Sequence, residues 1–406
     1  MTYYELVITN IKIMSINNQL RELIKSGTFA GILLIIAFTL AIIVSNNIFL
    51  TKYYSSFIYS KFSLTIGNVR LQTTFIELVN DGLMTFFFLL IGLEMKFHLV
   101  EGEHKNKKKL ILPAVAALGG VVVPVLIYMF FNYDKPRLIK GWAIPIATDT
   151  AFVLGILSFF SRHISLELRA FIIGFSLIDD AFALIILALF YTKTINTPAL
   201  LISSVIIFIL FILNYRQVKQ LFYYIIVGLL LWISMVESGI QGTLCGAIIA
   251  LFIPVNIKGE FNTSFKKLEN LTSPFVNYFI LPLFVFMNSG ILLEYFAFKG
   301  TCSNSILALI YGIIFGLFVG KQLGIMLFSY PFVKFKLCNL PSDTSWLKFY
   351  SIAILGGIGF TLSLFIGSIT FESSCPSNSM RAAVIIGSLI SALFGVAVLK
   401  YCTGKE

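Results

Sequence analysis

Residues 170–187 have the sequence AFIIGFSLIDDAFALIIL, in which two adjacent aspartates interrupt an otherwise apolar run. The wider run, about residues 167–191, is long enough to cross the hydrocarbon core of a bilayer as a helix, which needs about 20 residues. Ionisable side chains at that depth are costly and usually functional. Asp179 and Asp180 therefore indicate both a membrane span and the place where the chemistry of the chain is expected.

Apolar runs of similar length recur along the whole chain, which has 406 residues, 58% of them hydrophobic and 12% charged. A soluble domain carries about 25% charged residues, and continuous runs predict helices rather than the alternating strands of a membrane barrel. The sequence therefore predicts an all-α polytopic membrane protein. About twelve spans are expected, near residues 28–50, 77–95, 110–132, 142–160, 167–191, 198–214, 221–236, 239–254, 273–292, 304–330, 349–371 and 381–400.

The basic residues predict how these spans are oriented. With twelve spans, 20 of the 30 Lys and Arg residues fall on the side that holds both termini, and nine fall on the other side. Cytoplasmic loops carry the excess of Lys and Arg, so both termini are predicted to be cytoplasmic. The net charge of +11 follows from this asymmetry and from attraction to anionic membrane lipid, and it indicates no nucleic-acid partner.

One connection carries the signal of a β-hairpin, with an irregular loop as the alternative. Between the first two spans, Ser63–Leu71 alternates around a Gly-Asn pair, which is a hairpin signal. A hairpin alone is marginally stable in water, so a partner surface such as a second subunit is expected to cover it.

The cysteines and histidines indicate no disulfide framework, zinc site or catalytic triad. Five cysteines lie scattered without a C-x-x-C pair, which predicts unpaired apolar side chains. The three histidines, His98, His104 and His163, fall in predicted hydrophilic connections, so none is expected at membrane depth.

The aspartate pair has a restricted chemistry. Neighbours on a helix point about 100° apart, so Asp179 and Asp180 can both face one cavity. Two carboxylates this close do not readily both ionise, and they are expected to titrate as a coupled pair. Such a pair prefers protons or a small hard cation, and competition between the two is the basis of an exchanger. The alternative is a structural ion pair with Lys321, which also lies within a predicted span.

Two predicted spans contain helix-breaking residues. The fourth holds Pro145 before a polar stretch, and the eleventh holds three glycines within four residues, Gly356, Gly357 and Gly359. Each is the middle of a three-span group, spans 3–5 and spans 10–12, and interruptions at corresponding positions indicate an inverted-repeat transporter. Close packing of intact helices through glycine is the alternative for the eleventh span.

Interrupted helices expose partial charges at their new ends. Facing N-termini favour an anion and facing C-termini favour a cation. Asp149, in the fourth span, and Lys321, in the tenth, are predicted to supply these charges.

In these features the sequence resembles the NhaA family of bacterial Na+/H+ antiporters, from about residue 27 to residue 400. The matching stretches, in order, are Phe87–Glu94, Ala143–Pro145 with Ala147–Asp149, Leu177–Asp180, Leu281–Phe284 with Asn288, Gly320–Lys321 and Gly357–Ser363.

The resemblance implies a single antiporter domain, with a core bundle of about 110–191 and 304–400 and interface helices of about 28–95 and 198–292. Spans 4 and 11 would both be unwound and would cross, with Gly356, Gly357 and Gly359 in the unwound segment of span 11. The resemblance also implies electrogenic exchange of Na+ or Li+ for a larger number of protons, without a cofactor or a catalysed covalent reaction. The expected setting is a homodimer in the bacterial inner membrane, joined through the hairpin.

The resemblance also assigns roles to individual residues. Asp180 would be the principal cation ligand, Asp179 the gate and proton carrier, and Thr148 and Asp149 would lie beside them. Lys321 would compensate the partial charges at the exposed helix ends, and it would also be able to pair with Asp179. The predicted pH-response residues are Glu94, Glu269 and Asp81.

Four positions depart from the family pattern. His98 stands where a second glutamate is expected after Glu94, Asn270 and Gln241 replace histidines, and Gln322 replaces a proline. These departures leave the predicted transport chemistry unchanged and put the pH set point in question.

Other functions fit the sequence less well. A Na+-coupled symporter for an organic solute, which is the main alternative, would need more polar groups in the core spans. An intramembrane aspartyl protease would carry a Gly-x-Gly-Asp stretch, whereas Asp179 follows Ser176-Leu177-Ile178.

Overall fold

The computed structural model describes residues 27–66, 69–101, 107–160, 163–192, 195–257, 260–296, 304–371 and 374–404. Within these residues, eleven helices are long and apolar enough to cross a membrane, which confirms an all-α polytopic membrane protein. We number them spans 1–7 and 9–12: Phe29–Asn46, Phe75–Val100, Lys109–Asn132, Ile139–Ser158, Leu166–Phe190, Thr197–Tyr215, Leu221–Ser238, Thr263–Asn288, Ser305–Lys334, Trp346–Thr370 and Cys375–Thr403.

The eighth predicted span is shorter than the others. Gly239, in the left-handed region at φ 81°, ends span 7, and the next helix is Leu244–Phe252, with nine residues. Nine helical residues cover about 14 Å of a hydrocarbon core about 30 Å thick. The structure therefore supports eleven full spans and one partial span, and the count of twelve is not confirmed.

Five spans consist of more than one helical segment. Spans 4 and 11 are interrupted: a 3-10 helix, Ile139–Ile146, precedes Thr150–Ser158, and Trp346–Leu355 precedes Phe360–Thr370. Spans 2, 9 and 10 contain π-helical segments at Leu78–Leu83, Val276–Ile280 and Gly316–Gly320. Single-turn π segments are frequent at functional sites. Shorter helices cover Leu50–Ile58 and Leu293–Phe296.

The hairpin predicted between spans 1 and 2 is confirmed. Strand β1 (Lys61–Ile66) pairs antiparallel with β2 (Val69–Thr74), with Leu64 opposite Leu71 and Ile66 opposite Val69. The predicted Gly-Asn turn, at residues 67–68, lies outside the described residues. A second pair of two-residue strands, Asn256–Ile257 and Glu260–Phe261, precedes span 9.

The prediction that all cysteines are unpaired is wrong. Cys375, at the start of span 12, is disulfide-bonded, whereas Cys245, Cys338 and Cys402 are free thiols; Cys302 lies outside the described residues. Local spacing reveals C-x-x-C motifs, but a disulfide needs only two cysteines that the fold brings together.

Spans 3 and 10 approach each other so closely that only glycine fits between them. A Cβ atom added to Gly324 would overlap the carbonyl oxygen of Gly119, and one added to Gly119 would overlap that of Gly324. Such small residues let helix backbones pack directly in a membrane. This contact fixes span 10, which carries Lys321, against span 3.

We predict that Gly324→Ala lowers the free energy of unfolding by about 3 kcal/mol, because overpacking of this size costs about 1–3 kcal/mol and the obstacle is backbone. The measurement is thermal or denaturant unfolding in detergent. Gly31→Ala is the matched control, since nothing lies within 4 Å of a Cβ at Gly31 in span 1. Equal stability of the two variants would contradict the close approach.

Candidate functional site

The interruptions of spans 4 and 11 contact each other. The backbone N–H of Asp149 donates to the carbonyl of Ile358 (2.6 Å), and the Thr148 hydroxyl donates to the carbonyl of Gly356 (2.8 Å). A Cβ atom on Gly359 would lie 2.9 Å from the carbonyl oxygen of Ala147. The unwound backbone therefore finds hydrogen-bond partners within the protein, which backbone at membrane depth requires.

Asp149 contacts the N-terminal ends of both second half-helices. It is the N-cap of Thr150–Ser158, where its Oδ1 accepts from the backbone N–H of Phe152 (3.2 Å). Its Oδ2 accepts from the backbone N–H (3.1 Å) and the hydroxyl (2.6 Å) of Thr361, in the first turn of the other half-helix. The carboxylate thus meets two positive helix ends, which is where the sequence argument expected an anion.

Lys321 and Asp179 form a buried ion pair. The lysine Nζ lies 2.9 Å and 2.8 Å from the two carboxylate oxygens, and both side chains are 0% exposed. Lys321 directly follows the π-helical segment of span 10, whose Gly316 and Gly320 pack against Pro145 and Pro124. Among the described residues, the lysine donates no hydrogen bond to a half-helix carbonyl, so its direct partner is the aspartate.

Asp180 has a different environment from Asp179. Within the described part of the chain it forms no hydrogen bond or ion pair, although it is only 8% exposed. It lines a cavity of 270 Å³ between spans 1, 2, 4, 5, 9 and 11. The polar residues of this cavity are Glu94, His98, Thr148, Asp149, Thr150, Ser176, Asp180, Asn277 and Thr361. No group of three or more His, Cys, Asp or Glu side chains suited to holding a metal ion is found in the described residues.

Four polar residues of this cavity differ from what the sequence predicts: His98, which is expected in a connection, and Thr150, Ser176 and Asn277, which no sequence pattern singles out. His98 lies in the last turn of the helix of span 2, so the prediction that it falls in a hydrophilic connection is wrong. Thr150 and Ser176 were not singled out, because single hydroxyls are common in membrane helices. Only their position on the cavity distinguishes them.

The predicted pH-response residues occupy two separate places. Glu94 lines the cavity and interacts electrostatically with Glu269 and Lys266, and Lys266 pairs with Glu269 at 2.8 Å. Asp81, in contrast, accepts a hydrogen bond from Gln241 (2.9 Å), about 20 Å from Glu94 along span 2. The structure therefore brings Glu94 and Glu269 together and leaves Asp81 apart.

We predict that Lys321→Gln lowers the free energy of unfolding by about 3–5 kcal/mol, because it leaves a buried carboxylate without its partner. The double variant Lys321→Gln with Asp179→Asn removes both charges and is expected to be more stable than Lys321→Gln alone. Denaturant unfolding of the four proteins in detergent measures the coupling free energy. Additive effects of the two substitutions would contradict the ion pair.

Comparison with known proteins shows the family to which the chain belongs. The family model described as "Na+/H+ antiporter 1" matches residues 21–399. The chain is 40% identical over 390 residues to the Na(+)/H(+) antiporter NhaA of Campylobacter concisus, which covers 95% of this chain and 94% of the relative. It is also 40% identical over 383 residues to the NhaA of Citrobacter koseri, covering 94% of this chain and 97% of the relative.

A relative with much higher sequence identity is shorter than this chain. A protein of Rickettsia felis named "Putative Na(+)/H(+) antiporter NhaA homolog" is 96% identical over 286 residues, which is 70% of this chain and all of that protein. With eleven membrane-spanning helices and a family match over nearly its whole length, this chain is a multi-pass inner-membrane protein that belongs to the NhaA family of Na+/H+ antiporters.

Proposed function

We propose that the chain extrudes Na+ or Li+ from the cytoplasm in exchange for a larger number of protons, and that both ions compete for Asp179 and Asp180. The observation that carries this proposal is the contrast between the two acids. Asp179 has a buried lysine as counter-ion, whereas Asp180 lines a cavity without a protein partner. A carboxylate in that position needs a proton or a cation to remain buried.

In the proposed cycle, Asp180 is the principal ligand of the cation. Thr148 and Asp149 lie on the same cavity and contribute oxygen atoms beside it. Protons returning to the carboxylates displace the cation, since a protonated acid no longer attracts it. The competition requires no catalysed covalent reaction and no cofactor.

In the proposed cycle, the pair of Asp179 and Lys321 releases a proton in addition to the exchange at Asp180. When a cation occupies the site, Asp179 can turn from the lysine toward it, and the lysine then loses the carboxylate that stabilises its charge. Proton release from this pair makes exchange electrogenic. Each net charge that crosses is worth about 2.3 kcal/mol per 100 mV, so the membrane potential drives sodium extrusion.

We propose that spans 4 and 11 move at their contact and thereby open the cavity alternately to the two sides of the membrane. Glu94, His98 and Asn277 also line the cavity, and His98 lies near the end of span 2 that the charge distribution predicts to be cytoplasmic. On this orientation, we propose that the cavity opens toward the cytoplasm. We propose that spans 3–5 and 10–12 form the moving core bundle, with the remaining helices as its support.

The size of the cavity supports an ion rather than an organic solute as substrate. Its 270 Å³ lies just below the range of about 300–1,000 Å³ typical for pockets of drug-sized ligands. The Na+-coupled symporter therefore remains the less favoured alternative.

The acids Glu94 and Glu269 are proposed to set the pH response. Both lie near Lys266 beside the cavity, so protonation of either changes the field that an approaching cation meets. Asp81 remains a candidate for a separate contribution from the other end of span 2. We further propose a homodimer joined through the hairpin formed by β1 and β2.

We predict that Na+ or Li+ dissipates an imposed pH gradient in vesicles containing the purified chain, and that Asp180→Ala abolishes this response. A pH-sensitive fluorophore inside the vesicles is the measurement. Asp134→Asn is the matched control, because Asp134 lies in the connection between spans 3 and 4 and pairs only with the adjacent Lys135 in the described structure. Undiminished exchange by the Asp180 variant would refute the site.

The same vesicles test whether exchange is electrogenic. Clamping the potential negative inside is expected to change the exchange rate, because net positive charge moves with the protons. A rate that is independent of the imposed potential would refute unequal stoichiometry and leave the site assignment intact.

A further inference from the structure

Two buried hydroxyl groups face the same cavity as Asp180 without a protein partner. Ser176 is 1% exposed, and neither its Oγ nor the Oγ1 of Thr150 has a hydrogen-bond partner within the described part of the chain. Both residues line the 270 Å³ cavity. A buried hydroxyl left unbonded costs free energy of about 1–3 kcal/mol, so each calls for an explanation.

The absence of a partner is unusual for a serine in the middle of a helix. Such hydroxyls normally donate to a carbonyl three or four residues earlier, as Ser203, Ser351 and Ser391 do here. Ser176 instead lies four residues before Asp180, so the two side chains project from the same face of span 5. Thr150 is the first residue after the N-cap Asp149 and has no helical carbonyl to which it can donate.

An unbonded hydroxyl by itself does not indicate a ligand. Ser329, for example, is buried in span 10 with an unbonded hydroxyl, and it does not line this cavity. What distinguishes Ser176 and Thr150 is that both share the cavity with an unpaired carboxylate.

Three other oxygen-bearing residues of the cavity already form hydrogen bonds within the protein, which orient their oxygen atoms and leave lone pairs that can still face a cation. The Thr148 hydroxyl donates to Gly356, the Thr361 hydroxyl donates to Asp149, and both oxygens of Asp149 accept hydrogen bonds. Asp179, beside the cavity, is held by Lys321. A small hard cation at Asp180 needs more oxygen atoms than one carboxylate supplies. Ser176 and Thr150 are the buried hydroxyls of the described cavity whose hydrogen bonds remain unused.

We propose that the hydroxyl oxygens of Ser176 and Thr150 complete the cation site at Asp180, by binding the ion directly or through one water molecule. The inference rests on the proposed function, since it concerns the same site. It adds that this chain holds its ion partly with neutral oxygens. Because a hydroxyl is neutral and stays protonated, these oxygens strengthen cation binding without adding another group that must release a proton.

The test measures the apparent cation constant of exchange in vesicles at fixed pH. Ser176→Ala and Thr150→Val are each expected to raise the Na+ constant about five- to tenfold, on the scale of one lost hydrogen-bond-like contact, with the maximal rate unchanged. Thr150→Ser keeps the hydroxyl and is expected to behave like the unaltered chain. Ser329→Ala is the control for loss of a buried, unbonded hydroxyl away from the cavity.

A selectivity measurement separates ligation from a structural role. Li+ is smaller than Na+ and takes fewer oxygen ligands, so Ser176→Ala and Thr150→Val are expected to raise the Na+ constant more than the Li+ constant. A general loss of stability would change both equally. Unchanged constants in both variants, with Asp180→Ala inactive, would overturn this inference alone. Exchange retained by Asp180→Ala would instead overturn the proposed function.

Discussion

The arrangement of spans 4, 5, 10 and 11 depends on the cost of placing carboxylates at membrane depth. Three aspartates lie in spans 4 and 5, and each has a different environment. Asp149 accepts hydrogen bonds at the N-terminal ends of two half-helices, Asp179 pairs with Lys321, and Asp180 lines a cavity without a partner. Two of the three are stabilised by the fold itself. The third is left for an ion that enters from outside, which is the physical basis of the proposed transport.

The contact between the interrupted spans 4 and 11 makes these different aspartate environments possible. A continuous helix at span 4 would have no free N-terminal N–H groups near Asp149, and a continuous span 11 would have none at Thr361. Interrupting both helices creates these groups, and the hydrogen bonds from Thr148 and Asp149 to span 11 satisfy part of the exposed backbone. Glycine at position 359 lets the two backbones meet, since a larger residue would contact Ala147. The close approach of Gly119 and Gly324 then holds Lys321 where it reaches Asp179.

Much of this architecture is predictable from sequence because hydropathy, proline and glycine act locally. The eleven long spans, the hairpin and the interruptions of spans 4 and 11 all follow from such patterns. The length of the eighth helix does not, because its apolar composition resembles that of a full span although turns shorten it at both ends. The disulfide of Cys375 is equally invisible, since it depends on which segments meet in space.

Within the site, the types of residue are predictable and their pairing is not. Composition and spacing give Asp179 and Asp180 equal standing, and only the family resemblance assigns them different roles. In the structure, the position of Lys321 beside Asp179 separates the two acids. Ser176 and Thr150 carry no signal in sequence because many serines and threonines lie in these helices with their hydroxyls bonded to the backbone. His98 was misplaced because the polar residues around it resemble a loop, although the helix of span 2 continues to Val100.

The central claim is that Na+ and protons compete for one site at Asp180. It is tested most directly by measuring Na+ binding to the purified chain, in detergent and without any gradient, over a range of pH values. Because the proposed exchange moves more protons than Na+ ions, each bound ion displaces more than one proton, and the apparent dissociation constant for Na+ rises more than tenfold for each unit by which pH falls in the acidic range. A dissociation constant that stays the same across that range would contradict the account.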